Sequence, residues 1–250
     1  MANVTDEDEF VVNFKFLASE LYRVMMPGRS VALHCMDIPA MLGRDNYVGL
    51  KDFPAMLRQV MQDVGFIYYS RITIWKSPVI EVVRTKTHVL LHRQLKKDSG
   101  RCRVGMPDYV LIMRKPGENL ERITHTDNDF PVDEWAKVAS PVWWHIRQTN
   151  TLNTIKPEND ERHISALQLD TIRDLLRLYS NPGDVVLSPF AGIGSEGYQS
   201  IKMGRRFVGI ELKREYFDVA LRNLQAAEID NRQNSLFNSD VKSSATGVVK

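Results

Sequence analysis

The segment LSPFAGIGSEGYQSIKMGRRFVGIEL, residues 187–212, limits the architecture more than any other part of the chain. The apolar run 185–187 reads as a buried strand and feeds a tight turn carrying Gly192, Gly194 and Gly197. A helix-like stretch follows, then a second apolar run, 207–210, that ends on Glu211. Glycines at such a turn let a ligand approach the backbone at the N-terminus of the next helix, where phosphate or carboxylate is favoured. An acid about 20 residues further on is placed to accept hydrogen bonds from ribose hydroxyls. The order strand, turn, helix, strand and acid defines a nucleotide-type unit, which normally opens a domain. Here only one more helical stretch, 216–227, and a polar tail from Asn231 follow it. The other strands must therefore come from residues before 187, and the sheet is written in permuted order with its cofactor half last. That order disfavours a dinucleotide oxidoreductase, although the string from Gly192 to Gly197 fits the dinucleotide pattern as spelled.

Upstream, Phe10, Phe14, Leu17, Leu21 and Val24 recur at helical spacing, and Pro27-Gly28 stops that helix. SVALHCM, 30–36, is short and apolar, suited to a buried parallel strand. Residues 52–64 read as a helix closed by Gly65. FIYYSRITIW, 66–75, is rich in aromatic and β-branched residues and reads as a strand ended by Ser77-Pro78. DYVLIMR, 108–114, is a further strand. Residues 115–160 contain Pro116, Gly117, Pro131, Pro141 and Pro157 without a sustained period, which predicts irregular structure. Residues 165–180 form an amphipathic pattern through Leu167, Leu169, Ile172, Leu175, Leu176 and Leu178.

A chain of 250 residues, 43% hydrophobic and 26% charged, can bury one sizeable core, or one core with an appended recognition region. The net charge of +2 implies no partner by itself, so any charge argument is local. Arg84, Lys86, Arg93, Lys96, Lys97, Arg101 and Arg103 stand against a single acid, Asp98. Such a run neutralises backbone phosphates or is simply a solvated face. Cys35 and Cys102 lie far apart and suggest neither a disulfide framework nor a zinc site. The histidines have no metal-like spacing, so no metal is expected. Trp75, Trp143 and Trp144 could stack on bases, with packing the default. The acidic N-terminus is no signal peptide, and no window reaches the roughly 18 apolar residues of a membrane span. These features place the chain in the cytoplasm.

The string NPGDVVLSPFAGIGSEG followed by MGRRFVGIELKREYFDVALRNL resembles the cofactor-binding end of the bacterial and phage DNA amino-methyltransferases of the β arrangement. The family wording is Asp-Pro-Phe-Xaa-Gly-Xaa-Gly-Thr, a helix, then a strand ending in Glu. Ser188 stands for the usual Asp and Ser195 for the usual Thr. ERHISALQLDTIRDLLRLYSNPGD is similar to the family segment that begins His-Pro-Xaa-Gln-Lys-Pro. His163 matches it, whereas Ile164, Ala166 and Leu167 depart. LYRVMMPGRSVALHCMDIP and GFIYYSRITIWK resemble helix–strand units of the catalytic half.

The resemblance implies an α/β fold: a Rossmann-like methyltransferase sheet in permuted order, helices on both faces, plus an irregular recognition region. It implies S-adenosylmethionine as cofactor, held by Ser188, Pro189, Phe190, Ala191, Gly192, Ile193, Gly194, Ser195 and Glu211, with His163 and Ser165 at the border. It implies methyl transfer to an exocyclic amine of adenine or cytosine in double-stranded DNA, as in restriction–modification, with the base flipped out. The amine attacks the methyl directly, so positioning carries most of the catalysis. Carbon-5 methylation would need a nucleophilic cysteine after a proline. Cys35 follows His34 and Cys102 follows Arg101, so that chemistry is rejected. The seven cationic residues of 84–103 occupy the place of the family's target-recognition region.

By the same resemblance, residues 1–83 belong to the catalytic half, 84–155 to target recognition, 156–227 to the cofactor half and 228–250 to a polar tail. The family's Asp/Asn/Ser-Pro-Pro-aromatic loop, whose polar groups accept the amine protons, is not found in the chain. No catalytic residue is therefore assigned. Asp37-Ile38-Pro39 follows a strand but has one proline and no aromatic residue. The resemblance places the loop upstream of residue 1, with a second copy or a partner chain as other possible sources. The competing expectations are a non-catalytic protein that binds S-adenosylmethionine or DNA, and an RNA amine methyltransferase on the same fold.

Overall fold

The computed structural model describes residues 7–85, 90–101, 104–152 and 166–245. The chain divides into two compact units, Met1–His145 and Ile146–Lys250.

In the first unit, helix α1 (Glu7–Val24) places three acids in its first turn, where the helix dipole favours them. It buries Phe14, Ala18 and Leu21, one stripe of the helix. Its last carbonyls are taken by the Lys115 ammonium, which donates to Tyr22 O at 2.5 Å and Met25 O at 2.7 Å. Strand β1 (Ser30–Cys35) follows, then a small hairpin of β2 (Ile38–Ala40), helix α2 (Leu42–Asp45) and β3 (Gly49–Lys51). Helix α3 (Phe53–Val64) starts where the Asp52 carboxylate accepts from Ala55 N at 2.9 Å, and it ends at Gly65 with φ +113°. Strand β4 (Ile67–Ile74), helices α4 (Pro78–Thr85) and α5 (His92–Leu95), and a 3-10 turn (Ser99–Arg101) lead to β5 (Asp108–Arg114). Helix α6 (Val132–Ala139) and β6 (Val142–Trp143) close the unit.

The sheet runs β1-β5-β4-β6. Strand β5 is antiparallel to both neighbours, and β6 is parallel to β4. Val110, Leu111, Ile112 and Met113 on β5 are all buried, so both faces of the central strand are covered. Leu111 and Met113 pack with Phe14, Ala18, Leu21, Leu57, Val60, Met61 and Phe66, side chains of α1, α3 and the residue just before β4.

In the second unit, helix α7 (Leu169–Tyr179) leads through the turn at Gly183 to β7 (Val185–Ser188). Helix α8 (Ser195–Lys202), strand β8 (Arg206–Gly209) and helix α9 (Arg214–Ala245) follow. Strands β7 and β8 pair in parallel, Val185 with Arg206 through Ser188 with Gly209. Arg205, buried, closes the C-terminus of α7: its guanidinium donates to Ser180 O at 2.7 Å, Ser180 Oγ at 3.1 Å and Met203 O at 2.7 Å.

Four expectations change. Strand β1 is hydrogen-bonded to an antiparallel neighbour, because a long excursion lets β5 return between β1 and β4. The stretch read as irregular contains α6 and β6. Pro131 precedes the helix, Asp133 and Glu134 sit in its first turn and Lys137 in its last, so dipole and ion-pair signals replace hydrophobic periodicity. Helix α9 continues beyond Asn231, since no Gly or Pro interrupts it through Ala245. The Asn231 amide bonds Ile201 O and Asp230 pairs with Lys202, which ties this part to α8. The helix read over 165–180 starts at Leu169: residues 166–168 are not helical, and residue 165 lies outside the described residues.

Candidate functional site

The glycine turn sits at the C-terminal ends of β7 and β8, where open α/β sheets bind ligands. Backbone bonds knit the two strand ends together: Ile210 N donates to Ser188 O and Ala191 N to Ile210 O, each at 2.9 Å. Both oxygens of Glu211 are then engaged by main chain. Gly192 N donates to Oε2 and Lys213 N to Oε1, each at 2.8 Å. The acid that closes β8 is thereby fixed against the glycine that opens the turn after β7. A carboxylate oxygen has capacity for more than one donor, so a ligand hydroxyl can still be received.

The three glycines have different reasons to be glycine. Gly192 has φ +52°, and a Cβ there would meet nothing within 4 Å. Its backbone faces open space, the cradle a ligand needs. Gly194 has φ +83°, and a Cβ would lie 3.1 Å from that of Ala220 on α9. Gly197 would drive a Cβ to 2.5 Å from side-chain atoms of Leu224 and Phe207. Gly194 and Gly197 thus serve helix packing, and only Gly192 fits the sequence argument about ligand approach. Ser188, Ala191, Ile193 and Ser195 are buried around the turn, Pro189 is half-buried and Phe190 is exposed. His163 and Ser165 lie outside the described residues.

Sequence reasoning missed a polar cluster on α7. Asp170, buried, accepts from the Arg147 guanidinium at 2.8 Å to each oxygen and from Asn150 Nδ2 at 2.9 Å. Burial opposes its ionisation, but these donors win and hold its carboxyl below the usual range. Close to this pairing, buried polar atoms of Gln148, Gln168 and Thr171 have no hydrogen-bond partner among the described residues. Groups of that kind are rare in the absence of a ligand or water.

Of the basic run, Arg93, Lys96 and Lys97 are exposed on α5 and the turn after it. Arg84 and Arg101 belong to α4 and the 3-10 turn, while Lys86 and Arg103 lie outside the described residues. Cys35 is buried, and burial, followed by the charge of Asp108, pushes its thiol up to about 12. It is no thiolate nucleophile at neutral pH. Asp37, just past β1, has its carboxyl raised by burial and by the charge of Asp52. No cluster of His, Cys, Asp or Glu suited to a metal occurs among the described residues, and no described helix is long and apolar enough to cross a membrane.

With the turn, the acid and the sheet in place, comparison with known proteins defines the class. A family model described as DNA methylase matches residues 3–222, and the chain belongs to that family. It is 32% identical over 120 residues to the DNA adenine methyltransferase YhdJ of Escherichia coli, a match covering 48% of this chain and 39% of that protein. It is 28% identical over 127 residues to the type II methyltransferase M.BglI of Bacillus subtilis, covering 50% and 33%. The chain thus matches well under half the length of these curated relatives.

Among solved structures it is similar to a putative DNA modification methylase from Thermus thermophilus complexed with S-adenosyl-L-methionine. The TM-score is 0.68 at 20% identity, covering 91% of this chain and 81% of that one. The cytosine-N4-specific PvuII DNA methyltransferase gives 0.57 at 15% identity, covering 89% and 73%. These likenesses establish the fold: the α/β, Rossmann-like class expected from the sequence.

Proposed function

We propose that this chain binds S-adenosylmethionine at the Gly192–Glu211 turn and serves methyl transfer to an exocyclic amine of adenine or cytosine in double-stranded DNA. One observation carries the reading. Glu211 is locked by two backbone N–H groups at the end of β8, directly against a glycine whose backbone faces open space. A ribose fits such a carboxylate, and the bare Gly192 backbone admits the nucleoside beside it. Ser188 and Ser195 offer hydroxyls to the same turn. The unpartnered groups of Gln148, Gln168 and Thr171 add further donors and acceptors in the same unit. When bound, S-adenosylmethionine supplies the electrophilic methyl group; the chain's residues bind and orient it.

DNA is the expected substrate because the chain belongs to the DNA methylase family. Arg93, Lys96 and Lys97, exposed on one short segment, suit its phosphates. No Pro-Pro-aromatic string occurs in the sequence. We therefore expect residues 1–250 to bind cofactor better than they turn over. Losing a preorganised acceptor for the amine protons costs on the order of 10²-fold or more in rate.

The test is transfer of labelled methyl from S-adenosylmethionine to unmethylated duplex DNA, with RNA as a parallel substrate. Binding of cofactor with weak transfer to DNA supports the reading. Efficient methylation of RNA but not DNA would replace it with the RNA alternative. Efficient DNA methylation by 1–250 alone would place the amine-accepting group within these residues, with Asp37 and Pro39 the first to substitute.

A further inference from the structure

Trp75 and Trp144 lie side by side at the rim of the first unit. Trp75 follows the last residue of β4 and Trp144 the last residue of β6. These strands are parallel, with Ile74 opposite Trp143, and Trp75 N donates to Trp143 O at 3.1 Å. The two indoles therefore occupy the next rung beyond the sheet. Their centroids are 5.5 Å apart and their planes inclined by 33°. Successive residues of a strand alternate faces, and the neighbours show it. Trp143 is fully buried with its Nε1–H on Val138 O, while Trp144 is 63% exposed and Trp75 38%. Indoles are large apolar groups, and leaving two together in water is costly unless something covers them.

The position is also made rigid. Lys76, next to Trp75, is only 7% exposed, and its ammonium meets Asp108 Oδ1 at 2.5 Å. Asp108 Oδ2 lies 3.2 Å from Nε2 of His34 near the end of β1. A buried ion pair across strands gives directional hold. Here it clips the residue beside Trp75 to the start of β5. The whole assembly sits at the C-terminal ends of β1, β4 and β6.

We propose that Trp75 and Trp144 form a stacking surface for one unpaired nucleobase of the nucleic acid, a role that rests on the DNA-methyltransferase reading. Every base presents a π-face, and an enzyme that modifies a base must take it out of the stack and give that face a new partner. Two adjacent, partly exposed indoles present the flat apolar faces on which a heterocycle stacks. An apolar protein partner would engage them equally, and the experiment separates the two.

Binding is measured by anisotropy with a labelled single-stranded oligonucleotide, a fully paired duplex, and a duplex with one mismatched adenine or cytosine. The parent, Trp144→Leu and Trp75→Leu are compared, with thermal unfolding as the fold control. Base–aromatic stacking predicts a loss of roughly tenfold or more for the single strand and the mismatched duplex in each variant. Binding of the paired duplex, which rests on phosphates, should change by less than about twofold.

Indole fluorescence of the parent should be quenched by the single strand, and less so in Trp144→Leu. Equal losses for paired and unpaired DNA, or none, would overturn the stacking role while leaving the DNA reading intact. Absence of any DNA binding by the parent would sink the DNA reading itself. Variants whose only change is in self-association by sedimentation would make the pair a protein contact instead.

Discussion

The two units solve the same packing problem to different degrees. In the first, β5 has a paired strand on each edge and buried side chains on both faces. In the second, β7 and β8 pair only with each other among the described residues. Val185, Leu187, Val208 and Ile210 remain exposed, although parallel strands are normally covered on both faces. Each unit also has a buried aspartate tied to cations. Asp108 faces a buried lysine, whereas Asp170 faces Arg147, whose side chain is 68% exposed. The first unit invests its residues in a closed core, while the second holds an open glycine, a carboxylate and several polar groups without partners among the described residues.

That contrast can be broken at its strongest point first. Asp108→Asn should destabilise the first unit by about 3–5 kcal/mol, because Lys76 is left charged and buried. Arg147→Ala should cost the second unit less, because Asn150 at 2.9 Å and Arg173 at 3.3 Å still hold the buried Asp170 carboxylate. Chemical unfolding of both variants checks the ratio, and equal costs would erase the distinction.

The same pair sets a pH dependence. Burial would raise the Asp108 carboxyl, but the His34 hydrogen bond and the charges of His34 and Lys76 overcome it and hold it below the ordinary range. A folded-state value below the unfolded one contributes stability that is present above about pH 4, the unfolded value, and is lost as pH falls through the folded one. Acid titration of stability should therefore fall below about pH 4 in the parent and more shallowly in Asp108→Asn.

Ile112→Ala on β5 should cost about 2–5 kcal/mol, and Leu187→Ala on the exposed face of β7 less than about 1 kcal/mol. Thermal melts of the two variants decide this, and a comparable loss in Leu187→Ala would mean that this face is covered in solution. Glu211→Ala should weaken S-adenosylmethionine by about 1–3 kcal/mol, since ribose hydroxyls lose their acceptor. Calorimetry with an unfolding control separates that from a folding defect. The smallest expected change is in salt dependence. Lys96→Glu with Lys97→Glu should lower the slope of log affinity for duplex against log salt by about 2. An unchanged slope would leave the basic run a solvated surface.

Much of the skeleton was legible because it is written in local patterns. The stripe of α1, the Asp52 cap and Gly65 stop of α3, the run DYVLIMR and the order β7-turn-α8-β8 each depend on residues close in sequence. What escaped depends on distant ones. Lys76 and Asp108 meet only because β5 returns beside β4. A charge abutting an apolar strand was the available signal, since such a residue needs a partner when buried. Composition puts the tryptophans in one group, yet the pleat separates Trp143 from Trp144. The glycines were read alike, although Gly194 and Gly197 answer to Ala220, Leu224 and Phe207 on elements written later or across the sheet.

Of the three glycines, Gly192 rather than Gly194 or Gly197 is proposed to face the cofactor. The direct measurement is S-adenosylmethionine affinity by calorimetry for Gly192→Ala, beside its thermal stability. An alanine there meets open space, so the fold should lose only about 1 kcal/mol to the positive φ. Its methyl would project into the proposed cradle and weaken binding roughly tenfold or more, the equivalent of about 1.4 kcal/mol. A Gly192→Ala protein that folds and binds S-adenosylmethionine as tightly as the parent would contradict the site.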